Sequence, residues 1–299
     1  MAPVIIVAGV TGNLGERIAR ALIKRGATVK GLVRKDTPAD KRTHLKSLGL
    51  ELADLDYTSV AAVAEICSGA QCVVSSLAGL RGVILDAQTV LLDGAVKAGV
   101  PRFIPSDYSI DFTRLPPGSN RNLDLRREFH AVLATRAIAA TSIFNGAFTD
   151  MLTGQAPFIL ARRKRVLCWG DLDQRMNFTS VDDTADFTAA AALDEEAPRF
   201  LHIAGDRVSA RELVGVMDSV TGQRFKVFRP GPVSLLGLLI KVTRAMMPTT
   251  DELYPLWQGM QYMHNMFGGA ALPERLDNDR YGARSWTTAR DVLAAHHAK

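Results

Sequence analysis

The chain has only three cysteines in 299 residues, Cys67, Cys72 and Cys168. An odd number without metal-like spacing excludes a disulfide framework and a zinc site, and it fits a reducing compartment such as the cytoplasm. No stretch reaches the roughly 18 consecutive apolar residues that a membrane-spanning helix needs, so no membrane partner is expected. The apolar start lacks a basic leader and runs straight into a glycine-rich turn, so it reads as a first strand and not as a signal peptide. Internal repeats and low-complexity linkers are also missing. Charge is nearly balanced, 36 Lys and Arg against 31 Asp and Glu, for a net +5. One dense basic run occurs, Arg162-Arg163-Lys164-Arg165, between two apolar stretches. That placement favours a solvated hairpin turn over a nucleic-acid patch, and no nucleic-acid partner is expected.

What is present begins at the first strand. Val4-Ile5-Ile6-Val7-Ala8 is followed by Gly9-Val10-Thr11-Gly12-Asn13-Leu14-Gly15, and then by Ile18, Ala21 and Leu22 at helical spacing. Strand, glycine turn and helix start together form the arrangement that holds a dinucleotide pyrophosphate. The glycines let the backbone turn sharply and approach the phosphates, and free N–H groups and the helix dipole supply the attraction. Further strands are expected at 28–33, 50–53, 71–77, 102–105 and 141–144. Helices are expected after Thr58 or Ser59, over 83–98 and over 123–136. Such alternation implies a Rossmann-type, doubly wound parallel sheet with helices on both faces.

Past about residue 150 the rhythm changes to a hairpin (158–160 with 166–169), a helix over 182–193, a strand over 199–203 and a capping box, Ser209 to Glu212. The expected division is a dinucleotide-binding domain over 1–150 and a smaller, closely packed α+β lobe over 151–299 that does not fold alone. Beyond Pro230 the helices carry Trp257, Tyr262, Met263, Met266 and Phe267, which read either as core or as the lining of an apolar pocket.

The second strand ends Leu32-Val33-Arg34-Lys35, and Arg34 lies 19 residues beyond Gly15, where the residue that separates the two dinucleotides is expected. A guanidinium there can make paired hydrogen bonds to the extra phosphate of NADP, with Lys35 or Lys41 adding charge. NADP(H) is therefore preferred, and Asp36 keeps NAD(H) as the alternative. Asp54-Leu55-Asp56 follows the third strand, where a carboxylate either accepts the adenine amino group or caps the next helix. Ser75-Ser76-Leu77-Ala78-Gly79 ends the fourth strand with small residues that permit close approach of a dinucleotide.

With these features together, the chain resembles the atypical short-chain dehydrogenase/reductases of the NmrA-like and isoflavone-reductase-like type. The resemblance rests on Gly9 to Gly15, Leu32-Val33-Arg34, Val100 to Tyr108, Thr141 to Phe148 and Asn177 to Asp183. It implies NADPH bound by Gly9, Thr11, Gly12, Asn13, Leu14, Gly15, Arg34 and Lys41, with Ser106 near the nicotinamide. Reductase members of the group act on phenylpropanoids, isoflavonoids or quinones, whereas NmrA is a non-catalytic nucleotide-responsive regulator.

The chain departs from the group at one position. The phenylpropanoid reductases carry an active-site lysine in the helix before the sixth strand; the matching residue here is Arg126, and no lysine occurs between Lys97 and Lys164. No Tyr-x-x-x-Lys pair of ordinary short-chain dehydrogenases occurs either, which argues against an epimerase. Arginine stays charged and delivers a proton poorly, but it can orient a carbonyl. His130, one turn further on, and Tyr108 are the other candidate catalytic groups; the plain alternative for Arg126 and His130 is a surface or partly buried helix residue. The expected function is an NADPH-dependent reductase of a small apolar or aromatic acceptor, such as a quinone, enone or phenylpropanoid-like compound. The alternative is a non-catalytic NAD(P) sensor.

Overall fold

A computed structural model describes residues 2–247 and 251–298. Six parallel strands form the main sheet in the order β3-β2-β1-β4-β5-β6: β1 is Val4–Ala8, β2 Thr28–Val33, β3 Glu51–Asp54, β4 Cys72–Ser75, β5 Arg102–Ile104 and β6 Ala139–Ala140. The strand order reverses beside β1, so its carboxyl end opens on the crevice where such sheets take ligands. Alternate side chains of β1 go to opposite faces. Ile6 and Ala8 join Leu32, Val73 and Phe103 against α3 (Val60–Cys67), α4 (Gln88–Lys97) and the later turns of α5 (Arg121–Leu133). Ile5 and Val7 face the other side, where α1 (Asn13–Lys24) packs along α6 (Val181–Ala192).

Three details differ from the sequence reading. A helix over Ala39–Ser47 (α2) was not expected, because Leu45 is its one buried residue and no apolar period marks it. The 83–98 helix opens with a π-helical turn over Gly82–Ala87. The sixth strand pairs through Ala139–Ala140 and not through 141–144, because the chain changes partner at Thr141. The Thr141 N–H donates to Phe103 O at 3.1 Å, but the Ser142 N–H donates to Arg199 O at 2.8 Å. Cys67 ends α3 and Cys72 begins β4, both buried thiols; burial pushes them up to about 11 and about 12.

The chain forms two compact units that interleave in sequence and do not divide at a single boundary near residue 150. The first comprises 1–108, 125–143 and 181–201; the second comprises 109–124, 144–180 and 202–299. Helix α6 returns to the sheet and pairs with α1, so residues after 150 belong to both units, and the second is no smaller than the first.

The second unit contains two three-stranded sheets, one of Ile159–Leu160, Arg165–Leu167 and Lys226–Phe228, the other of Ala147–Phe148, Met176–Thr179 and Asp206–Val208. Helices α7 (Ala210–Thr221), α8 (Val233–Met246), α9 (Leu256–Phe267) and α10 (Ala289–His297) complete it. Its core centres on Phe158, edge-on to Phe178 at 5.7 Å, with Phe267 at 6.1 Å. The expected capping box forms: Ser209 Oγ accepts from the Glu212 N–H at 3.2 Å, and Glu212 accepts from the Ser209 N–H at 2.8 Å. Lys164, in the basic run, takes a left-handed turn conformation with φ +50°, as a hairpin requires.

Helix α9 is less apolar than its composition suggests. Trp257, Met263, Met266 and Phe267 are buried, but so are Gln258, Gln261 and Asn265. These amides surround Asn120, whose Oδ1 accepts from Gln258 Nε2 at 2.7 Å and from the Leu123 N–H at 3.2 Å. Asn120 Nδ2 donates to Asn265 Oδ1 at 3.2 Å, and the Arg121 N–H donates to Gln261 Oε1 at 3.1 Å. The first turn of α5 is thus satisfied by side chains of α9.

Candidate functional site

At the end of β1 the backbone turns at Gly9, whose φ is +87°. A Cβ at Gly9 would lie 2.7 Å from both the carbonyl oxygen and the hydroxyl of Ser76, and one at Gly15 would run into the Gly9 carbonyl oxygen. The Gly12 N–H closes the turn on Gly9 O at 2.9 Å. Gly12 also precedes α1 without any side-chain cap, which leaves the first-turn amides of Asn13, Leu14 and Gly15 open to an anion. The Asn13 side chain is turned away to Arg17. Beneath the turn, Ser76 donates from both N–H and Oγ to Ala8 O, at 2.9 and 2.8 Å.

A cavity of about 580 Å³ lies over this turn. Of the residues singled out from the sequence, Gly9, Thr11, Gly12, Arg34, Lys41, Ser76, Leu77 and Ala78 line it. The volume falls within the range of small-molecule and cofactor sites. Arg34 is exposed at the end of β2 and, among the described residues, makes no ion pair. Lys41 is already engaged by Glu16 at 3.0 Å. Glu16 also accepts from Arg20 at 2.9 Å and faces His44 at 3.1 Å. Partial burial would raise the Glu16 carboxyl, but hydrogen bonds from His44, Lys41 and Arg20 outweigh it and bring it down to about 2. Asp36 and Asp40 line the cavity as well.

Other residues of the sequence reading sit apart from the lining. Leu55 and Ser75 are buried in the core. Asp54 is paired with Arg42, and Lys35 points its carbonyl toward the same guanidinium. Asp56 accepts from the Thr58 N–H and hydroxyl, while Ser59 caps α3, so neither acid caps that helix. Gly79 packs on Val83, which does line the cavity. Tyr57, not anticipated, contributes a half-buried aromatic side chain from a left-handed backbone at φ +58°. Its position directly after β3 was the available signal.

Ser106 follows β5, its N–H donating to the buried Gln88 Oε1 at 3.0 Å and its Oγ to Leu77 O at 2.7 Å. Arg126 Nε donates to Ser106 O at 2.9 Å, so this guanidinium braces the loop after β5. His130 Nε2 meets Asp107 Oδ2 at 2.6 Å, and Ser142 Oγ donates to the same oxygen at 2.6 Å. Arg199 Nη1 in turn donates to Ser142 Oγ at 2.6 Å. Asp107 is fully buried. Burial would raise its carboxyl, but the charge and hydrogen bond of His130, with Ser142 and Arg126, hold it below the usual carboxylate range. Tyr108 is buried too, and desolvation pushes its hydroxyl far up, which makes it a poor acid.

The Asp107 cluster makes a stability prediction. Its depressed carboxyl contributes stability above the ordinary carboxylate range, lost as pH falls through the lowered value. Asp107→Asn is expected to cost about 3–5 kcal/mol at neutral pH, the usual effect of breaking a buried pair. Thermal unfolding across pH would show this as a smaller acid-side loss in the variant, and an unchanged profile would refute it.

The second unit holds a separate, small cavity of about 20 Å³, room for roughly one water. Asp111, Asn177 and His202 line it with Phe144, Met176 and Met266. His202 Nε2 meets Asp111 Oδ2 at 2.9 Å, the His202 backbone N–H donates to Asp277 Oδ2 at 2.7 Å, and the ring tilts against Phe144 at 5.2 Å. The carboxylate orients the imidazole and selects its tautomer. The sequence held no sign of this pair, whose members are 91 residues apart.

The sequence profile of the NmrA-like family matches residues 1–254. Pinoresinol reductase 1 of Arabidopsis thaliana is 26% identical over 243 residues, 74% of this chain and 75% of that protein. Among solved structures, isoflavone reductase superposes with a TM-score of 0.83 at 19% identity over 99% of both chains. AtPrR2 with NADP+ and (+)pinoresinol gives 0.82 at 19% identity, also over 99% of both. At such identities the structural likeness establishes the fold.

Proposed function

The chain belongs to the NmrA-like family, and on that premise we propose that it is an NADPH-dependent reductase of small aromatic or conjugated carbonyl compounds. The observation that carries the proposal is the cavity over the β1–α1 turn, where open amides and Arg34 meet. The residues fit the coenzyme: no Cβ fits at Gly9, where it would strike Ser76, or at Gly15, where it would strike the Gly9 carbonyl, so only glycine lets the turn close this tightly with the first-turn amides left open. Backbone N–H groups of 13–15 would hold the pyrophosphate, Arg34 with Lys41 the 2′-phosphate, and Tyr57 the adenine face. The relatives' names, pinoresinol reductase and isoflavone reductase, support an aromatic acceptor for this chain. The bound coenzyme supplies the hydride.

The protein's own part is positioning. Ser106 is fixed by Gln88, Leu77 and Arg126, which places its loop rigidly at the end of β5. Arg126 stabilises that loop and adds positive charge near a developing oxyanion. His130 is held by Asp107 and Tyr108 is buried; a quinone or enone can take its proton from water once reduced, so turnover requires no side-chain donor. The missing family lysine is therefore compatible with turnover. The three buried thiols agree with a reducing cytoplasm.

The capture of His130 by Asp107 and the burial of Tyr108 also favour a second reading, a dinucleotide sensor without turnover. Stoichiometric NADPH mixed with a panel of quinones, enones and phenylpropanoids separates the two. Loss of nicotinamide absorbance is expected with at least one acceptor. Tight NADPH binding without oxidation by any of them would replace the reductase with the sensor.

A further inference from the structure

Helix α8 turns an unpartnered apolar stripe to solvent. Leu235, Leu238, Leu239, Val242 and Met246 are between 37% and 77% exposed. At 3.6 residues per turn they fall within an arc of about 100°. The opposite face does the packing, with Leu236 and Ile240 buried in the core of the second unit. Phe228, on the edge strand just before the helix, and Met247, just after it, extend the exposed apolar surface. Contiguous apolar surface of this kind marks an interaction site, unlike singly scattered residues.

The charge along this stretch of chain has one sign. From Arg224 to Met247 the chain carries Arg224, Lys226, Arg229, Lys241 and Arg244 and no acidic residue. Lys226 lies opposite Arg165 in a parallel pair of strands, which brings Arg162, Arg163 and Lys164 to the same sheet. All three are exposed, as are Lys226, Arg229 and Lys241, and none of these six makes an ion pair among the described residues. Of the neighbouring carboxylates, Asp173 pairs with Arg211 and Glu212 with Arg175, while Asp171 and Asp218 accept the backbone N–H groups of Asp173 and Phe225, leaving cations in excess. Asp251 and Glu252 come only after the end of α8.

We propose that this face docks on a lipid bilayer bearing anionic headgroups, with α8 lying in the plane of the interface. An apolar stripe flanked by free cations is the pattern of an interfacial helix, with Leu and Met entering the acyl boundary and Lys and Arg reaching headgroups. Among the described residues no helix is long and apolar enough to cross a membrane, so attachment is peripheral and reversible. Self-association through the same face would set these cations against their own copies, which disfavours a second chain as occupant. The inference is independent of the reductase reading, because it uses none of the dinucleotide cavity.

The test is sedimentation with vesicles of phosphatidylcholine alone and with about 30% phosphatidylglycerol. Binding is expected only to the anionic vesicles and should weaken with added salt. Leu238→Asp with Val242→Asp should reduce it at least tenfold, and Lys226→Glu with Arg229→Glu should remove the preference for anionic lipid, both with unchanged NADPH affinity and melting temperature. Failure of the wild-type protein to bind anionic vesicles would overturn the proposal. So would a dimer in light scattering that the double Asp variant converts to monomer, since α8 would then be a subunit interface.

Discussion

Replacing Arg34 with glutamate is expected to weaken NADPH binding by about a hundredfold or more while changing NADH binding by a few-fold at most. The guanidinium stands at the end of β2 without an ion-pair partner among the described residues, whereas Lys41 already shares its charge with Glu16. Losing a paired, charge-assisted contact to a phosphate costs about 2–5 kcal/mol, and each 1.4 kcal/mol is tenfold in affinity. A carboxylate there would also repel the 2′-phosphate and accept hydrogen bonds from a ribose diol, which is how NAD is selected. Calorimetric titration of both coenzymes against both proteins reads the difference. An equal change for the two would show that Arg34 does not meet the 2′-phosphate.

Gly15→Ala is the second change with a large expected effect. The added methyl would collide with the Gly9 carbonyl oxygen and lie 2.5 Å from Ser76 Oγ. Gly9 is backbone and cannot rotate away, so α1 must move back from the turn. Overpacking of this kind costs about 1–3 kcal/mol. The greater loss is in binding, because the displaced amides are the ones offered to the pyrophosphate; NADPH affinity should fall by about two orders of magnitude, more than the stability change accounts for. A variant that binds NADPH normally at a temperature where it is folded would place the phosphates elsewhere. Gly26, which has open space around its Cβ position, makes the control: its φ of +81° makes Gly26→Ala a strained substitution, so it should lower stability without changing coenzyme affinity.

The contrast between those two glycines shows what the sequence disclosed. Strand, turn and helix at residues 4–24 were legible because the apolar period changes from strand to helix across a glycine cluster, and the place of Arg34 at the end of β2, on the rim of the cavity, followed from its distance to Gly15. Helix α2 was hidden because it buries only Leu45 and so carries no periodic mark. The change of partner at Thr141 was hidden because a single extended run serves two ladders, and side-chain alternation cannot report which neighbour accepts a given N–H. Side-chain commitments were hidden most of all. His130 looked like a titratable group on a helix, and its capture by Asp107, 23 residues away, depends on the fold. The His202–Asp111 pair escaped notice for the same reason.

The buried amides of α9 bear on where this protein could be shortened. The family profile ends at residue 254, just before Gln258, Gln261 and Asn265. Cutting there would remove a stretch with little recognisable signature, yet it would strip the partners from Asn120 and the Arg121 N–H at the start of the helix that bears Arg126 and His130. A shortened chain should therefore fray that helix from its leading end, and the tail that looks most dispensable by likeness acts as the clasp on its first turn.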